Sequence, residues 1–283
     1  MNWVFLNGDF VKGEMAAAPT LDRGLLYGYG LFETMRSYGG VVFRLEAHYR
    51  RLSKSAVTLD IPSHLTFDGL RTAIDILLEK NGLPDARIRL TLTAGTMSEP
   101  GKANPSLLIT VAPITEYPTS LYERGMSAIT SAVRRNETSP LSRVKSLNYL
   151  DNLLVREAAR RKGADEAILL NTRGMVAEGS ASNVFLVSDG RLLTPDLDSG
   201  VLPGITRAAV IELAAGAGIA CAEGEVDPAT LSKAEEAFLT NSIMGVMSLT
   251  RIDGKPIGDG RPGPTTETIS RLYAGIVARE TAQ

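Results

Sequence analysis

The stretch from Arg87 to Ala94 constrains the chain most. Ile88, Leu90, Leu92 and Ala94 alternate strictly with Arg87, Arg89, Thr91 and Thr93, a period-two pattern that fits a strand with one buried and one polar face. Such a strand needs a partner layer. Phe67, Leu70, Ile74, Leu77 and Leu78 supply one at helical spacing, with Gly82 and Pro84 as stop signals. Glu46 to Leu59 reads as another helix, and the continuous apolar run Leu107 to Ala112 as a more buried strand. The N-terminal part is therefore mixed α and β.

Pro113 to Ser120 carries two prolines and few large apolar residues, which marks a linker between a smaller domain (1–112) and a larger one (121–283). With 283 residues, both can bury a core. In the second, Met126–Val133 is strand-like. Asn148–Lys162 is helical, with Leu150, Leu153, Leu154 and Ala158 as its apolar side and Gly163 following a basic last turn. Ala167–Leu170, Asn183–Val187 and Arg191–Thr194 read as short strands, the last two joined by an Asp189-Gly190 hairpin turn.

Several function classes lose support on composition. A net charge of -2 offers nothing to nucleic acid or an anionic membrane surface. No apolar run is long enough to span a bilayer, and the first residues lack the pattern of a signal peptide. One cysteine, Cys221, permits no internal disulfide and fits a reducing cytoplasm. His48 and His64 lie in no metal or triad motif, so no metal site is expected.

Four segments carry candidate chemistry. Pro203-Gly204-Ile205-Thr206-Arg207 opens a helix whose first N–H groups can face an anion, though taken alone Thr206 reads more simply as an N-cap. Glu178-Gly179-Ser180-Ala181-Ser182-Asn183 is a small-residue turn on which a flat ligand can rest, or a solvated turn. Lys145, in Val144-Lys145-Ser146-Leu147-Asn148-Tyr149-Leu150, is a tunable amine or a solvated lysine. Arg51 is a phosphate clamp or a surface helix arginine.

The order VKSLNYL, EGSASNVF, PGITR and FLTNS, with Asp22–Glu33 upstream and Ile252-Asp253-Gly254-Lys255 downstream, resembles the class IV (fold type IV) pyridoxal 5′-phosphate enzymes over nearly the whole chain. That family holds branched-chain aminotransferases, D-amino acid transaminases and 4-amino-4-deoxychorismate lyases. The resemblance implies an α/β (α+β) fold of two domains with the cofactor in the cleft between them. It implies a homodimer or larger homo-oligomer in which a neighbouring subunit's loop, around Tyr29, completes the site. Lys145 matches the Schiff-base lysine and proton shuttle, Glu178 the carboxylate facing the pyridine nitrogen, and Arg51 the phosphate-binding arginine. The Ile205 N–H, Thr206 and Ser242 match further phosphate partners. Tyr149 looks like the tyrosine on the cofactor's 3′-oxygen, and Asn183 like a polar support beside Glu178.

The implied reaction is transamination between a small α-amino acid and an α-keto acid such as pyruvate or 2-oxoglutarate. EGSASNVF, VKSLN and 252–260 look most like D-amino acid transaminases, which puts a D-amino acid first and a branched-chain L-amino acid next. Against that, Glu99-Pro100-Gly101 stands where the D-specific enzymes carry an Arg-x-His pair, and Phe32 where they carry tyrosine. Arg89, Arg87 and Arg36 are candidates for a substrate carboxylate. The Phe32-Glu33-Thr34-Met35-Arg36 string and Thr240–Val246 look like aminodeoxychorismate lyases, which eliminate pyruvate. A PLP-binding protein without catalysis is the remaining alternative.

Overall fold

The computed structural model describes residues 2–99 and 102–282. The chain forms two compact units: Met1–Thr115 with Val144–Asn148 and Val277–Gln283, and Glu116–Arg143 with Tyr149–Ile276.

In the first unit the strands are β1 (Trp3–Leu6), β2 (Asp9–Lys12), β3 (Gly30–Tyr38), β4 (Val41–Val42), β5 (Ala86–Thr93), β6 (Thr96–Glu99), β7 (Lys102–Asn104) and β8 (Leu107–Pro113). The helices are α1 (Arg23–Tyr27), α2 (Leu45–Thr58) and α3 (Phe67–Asn81). Six strands make an antiparallel sheet in the order β2-β1-β8-β5-β3-β4. The alternation in β5 is realised: Ile88, Leu90 and Leu92 are buried with Leu31, Met35 and Ile109 under Leu52 and Ala56 of α2 and Leu70, Ile74 and Leu77 of α3. Thr66 caps α3 by accepting from the Gly69 N–H, and Gly82, at φ 63°, ends it.

The second unit holds β9 (Met126–Arg135), β10 (Glu166–Asn171), β11 (Val176–Gly179), β12 (Asn183–Ser188), β13 (Arg191–Pro195), β14 (Cys221–Gly224), β15 (Glu236–Asn241), β16 (Gly245–Ile252) and β17 (Lys255–Pro256). Its helices are α4 (Thr119–Arg124), α5 (Leu150–Arg161), α6 (Ile205–Gly216) and α7 (Pro228–Ser232), and α8 (Pro264–Glu280) starts in it. The sheet runs β11-β10-β9-β16-β15-β12-β13-β14, with β17 on β16. The predicted hairpin forms between β12 and β13 with Ser188 opposite Arg191. Asp189 and Gly190 both sit at positive φ, 50° and 68°, as a type I′ turn requires.

The break between units falls at Thr115 and Glu116, inside the 113–120 segment read as linker, whose last two residues, Thr119 and Ser120, open helix α4. Two readings need correction. Val144–Asn148 groups with the first unit, because its backbone pairs with β3. The apolar side of α5 is also reversed. Leu150, Leu153 and Leu154 are 65%, 54% and 52% exposed, whereas Asn152, Val155 and Ala159 are buried. Small Ala159 and Val155 let α5 lie close on Ala167 and Leu169 of β10, and the Asn152 amide turns inward to donate to the Ser180 carbonyl at 2.8 Å.

Phe185 and Phe238 stack at 4.9 Å between centroids on neighbouring strands β12 and β15. Replacing Phe185 by Ala is expected to cost about 3–5 kcal/mol, read as a lowered urea midpoint at unchanged slope.

Candidate active site

In the first unit, two backbone hydrogen bonds tie the lysine segment to β3: the Phe32 N–H donates to the Lys145 carbonyl at 2.8 Å, and the Leu147 N–H to the Gly30 carbonyl at 2.9 Å. The Lys145 ammonium lies 4.4 Å from the centroid of the Phe32 ring, and the Arg89 guanidinium lies 4.0 Å from the same ring. Lys145 is half-buried, its amine resting against that ring. Cation–π contacts of this kind contribute about 0.5–2 kcal/mol each.

Strand alternation sends Glu33 to the helix-covered face, where two residues one turn apart on α2 meet it. Arg51 donates to Glu33 through Nε at 2.8 Å and Nη2 at 2.5 Å, and His48 Nδ1 is 2.8 Å from Oε2. Burial alone would raise the Glu33 carboxyl, but the Arg51 guanidinium and His48 outweigh it and hold the pKa at about 2. Burial pushes His48 below its ordinary value against the opposing pull of Glu33. Arg51 is thus no surface arginine: its side chain is 9% exposed and its plane is set by a bidentate carboxylate.

On the opposite face of this sheet, the register sets Arg36 against Arg87, Thr34 against Arg89 and Phe32 against Thr91. Arg36 also packs its guanidinium over Tyr38 at 4.8 Å. Like charges directly opposed across strands are unfavourable unless an anion joins them. Tyr29 donates its hydroxyl to the Leu59 carbonyl at 2.5 Å and packs on the first core. Pro100 and Gly101 of the Glu99-Pro100-Gly101 stretch lie outside the described residues.

In the second unit the turn after β11 is buried, not solvated: Glu178, Ser180, Ser182 and Asn183 are all at or below 7% exposure. The two Glu178 oxygens face donors from different elements. Oε1 is 3.0 Å from Arg135 Nη2, and Oε2 accepts from the Leu202 N–H at 2.9 Å and from Asn183 Nδ2 at 3.4 Å. Tyr149 donates its hydroxyl to the Ser180 carbonyl at 2.9 Å. Burial, with the Glu178 and Glu166 charges adding to it, pushes this phenol up to about 12. Glu166 fixes the turn by accepting from the hydroxyls of Ser180 and Ser182.

The N-cap of α6 is Gly204, with no side-chain cap, and Thr206 is buried one residue into the helix. The N-cap reading of Thr206 therefore fails. A Cβ on Gly204 would come within 1.9 Å of the Asn183 amide oxygen, so the glycine is required by close approach. Thr240, paired with Asn183 across β12 and β15, keeps a buried hydroxyl with no hydrogen-bond partner. Ser242 follows it in a turn where Asn241 accepts from the Ile243 and Met244 N–H groups, both at 2.9 Å. Uncapped N–H groups at Ile205 and Thr206, together with an unsatisfied buried hydroxyl, suit an anionic ligand. A phosphate-bearing cofactor fits them.

Against known proteins, residues 30–252 match the model of the amino-transferase class IV family. The chain belongs to the class IV aminotransferases. A protein assigned as a branched-chain-amino-acid aminotransferase in Methanocaldococcus jannaschii is 39% identical over 96% of both chains. The solved branched-chain aminotransferase of Escherichia coli superposes with a TM-score of 0.94 at 33% identity, covering 100% of this chain and 96% of that one. A Thermus structure titled as a branched-chain aminotransferase with pyridoxamine 5′-phosphate gives a TM-score of 0.91 at 30% identity over 98% and 94%. This likeness carries the α+β, fold type IV architecture. A D-alanine aminotransferase of Bacillus licheniformis is 31% identical over 99% of both chains, and an aminodeoxychorismate lyase of Bacillus subtilis 32% identical over 95% and 93%. The expected lean toward D-amino acids is not supported, since branched-chain enzymes are nearer relatives of this class IV aminotransferase than the D-alanine enzyme is.

Glu33, His48, Arg135 and Glu166 escaped sequence reasoning as site residues. The spacing of His48 and Arg51 put both on one helical face, the only local signal; Arg135 closes a strand and carries none.

Because the folded Glu33 value of about 2 lies below its ordinary 4.5, its contribution is complete above pH 4.5 and lost as pH falls through about 2. Glu33→Gln should cost roughly 3 kcal/mol at pH 7, and the gap between variant and parent in urea should narrow steadily below pH 4.5.

Proposed function

We propose that this aminotransferase exchanges the amino group of a branched-chain L-amino acid with an α-keto acid such as 2-oxoglutarate or pyruvate, using pyridoxal 5′-phosphate. The observation that carries the reading is the Lys145 amine held beside the Phe32 ring, which Arg89 shares. An apolar ring suits an aliphatic side chain, while Arg89, Arg87 and Arg36 line one sheet face and suit a carboxylate. The family relatives support the branched-chain choice.

The cofactor supplies an electron sink for the pair left when the α-proton departs. The Ile205 N–H, Thr206 and Ser242 would hold its phosphate and so orient the ring, a role the family resemblance also gives Arg51. Tyr149, its hydroxyl donating to the Ser180 carbonyl, would lie beside the 3′-oxygen, with Asn183 steadying Glu178. The carboxylate of Glu178 would pair with the ring nitrogen. Lys145 would take the proton from the substrate α-carbon and deliver it to the cofactor's C4′ carbon. A lyase reading stays second, favoured by the Phe32–Arg36 string and by the Bacillus subtilis relative.

Among the described residues no helix is long and apolar enough to cross a membrane, and the one cysteine, Cys221, is free, as suits the cytoplasm. The row Leu150, Leu153 and Leu154, more than half exposed on α5, supports a homodimer or larger assembly that covers it.

Lys145→Ala should abolish turnover and the visible cofactor band together; turnover at the parental rate would sink the assignment. With L-leucine, D-alanine and their mirror forms as donors, the L-branched substrate should win on kcat/KM, and pyruvate release from aminodeoxychorismate without any keto acid would instead select the lyase. Leu153→Lys should lower the molar mass seen by light scattering toward that of one chain.

A further inference from the structure

We infer that Arg135 is a positioning residue that decides where the proton between Glu178 and the cofactor's ring nitrogen resides. The inference deepens the proposed function and rests on Glu178 facing that nitrogen.

Arg135 is built in rather than draped. Its Nε donates to the Gly200 carbonyl at 2.5 Å and its Nη2 to the Ser142 carbonyl at 2.7 Å. The same Nη2 reaches Glu178 Oε1 at 3.0 Å, with the arginine side chain 14% exposed and the glutamate 7%. Gly200 holds a left-handed conformation, φ 86°, and a Cβ there would lie 2.8 Å from the Glu137 backbone. The guanidinium therefore has two fixed backbone acceptors and little freedom to swing away from Glu178.

A buried carboxyl beside a pyridine has two arrangements of one proton. The pair is either ionic, pyridinium with carboxylate, or neutral, pyridine with carboxylic acid. Burial favours the neutral pair, because charges lose solvation. In this site both carboxyl oxygens already face donors: Arg135 on Oε1, and Leu202 N–H and Asn183 Nδ2 on Oε2. Donors on both oxygens stabilise the carboxylate more than the neutral acid, so they favour the ionic arrangement. Of the three, only Arg135 brings a full positive charge. Paired directly with Oε1 at 3.0 Å, its charge would stabilise the carboxylate and so keep the proton on the ring nitrogen. A protonated ring is the stronger electron sink, so Arg135 acts on the reaction through Glu178 without touching substrate.

The test uses holoenzyme reconstituted with cofactor labelled with nitrogen-15 in the ring, whose chemical shift separates protonated from unprotonated pyridine. In the parent the signal should lie in the protonated range at pH 7. Arg135→Met should move it toward the unprotonated range and lower kcat by about tenfold or more, the equivalent of one pKa unit or above. KM for the amino acid should change by less than about threefold. Arg135→Lys, which restores the charge, should recover most of the shift. Arg135→Gln, which keeps an amide donor for the backbone carbonyls but no charge, should behave like Met and replaces it if the Met variant does not fold. If Glu178→Gln moves the signal while the uncharged Arg135 variants leave it in place, the role assigned to Arg135 is wrong and Glu178 alone suffices. If Glu178→Gln also leaves it unmoved, the placement of Glu178 at the ring nitrogen fails first.

Discussion

The backbone pairing of Gly30 and Phe32 with Leu147 and Lys145 is the constraint on which the first half of the site depends. It holds the Lys145 backbone against the first residues of β3, where the side chain meets the Phe32 ring. The same strand, by alternation alone, turns Glu33 to the helix-covered side. One strand thus orients the lysine on its edge and, through Glu33, the arginine on α2.

Two buried carboxylates recur as organisers. Glu33 fixes Arg51, and Arg135 fixes Glu178, each at hydrogen-bond distance with further donors completing the carboxylate. A buried ion pair is costly to assemble and contributes little net stability compared with apolar packing. Its return here is geometry: planar, bidentate or backbone-anchored groups that stay put when a charged ligand enters. Glu166 locks the 178–183 turn through serine hydroxyls, and the Ser180 carbonyl there accepts from both Tyr149 and Asn152.

Helix α5 shows how a local polar choice redirects packing. Its leucines look like a core stripe, yet Asn152 has a buried acceptor to reach, and Ala159 permits close approach to β10. Those two requirements rotate the helix and leave Leu150, Leu153 and Leu154 outward. The apolar residues of its pattern thus face the outside of the chain rather than its interior.

What the sequence determined was whatever short-range periodicity and turn chemistry encode: the β5 alternation, helix α3 with its threonine and glycine ends, and the Asp189-Gly190 hairpin. The motif order also singled out Lys145, Arg51, Glu178 and Thr206 as candidates, because their types and spacing are local. Tertiary structure alone decided which charges meet. Glu33 with Arg51, and Arg135 with Glu178, are brought together by strand register and loop closure across 18 and 43 residues of chain. The unit to which Lys145 belongs was settled the same way, since hydrogen bonds to β3 outweigh its neighbours in sequence. Side-chain partners distant along the chain leave no period for a sequence to display, and only folding makes them neighbours.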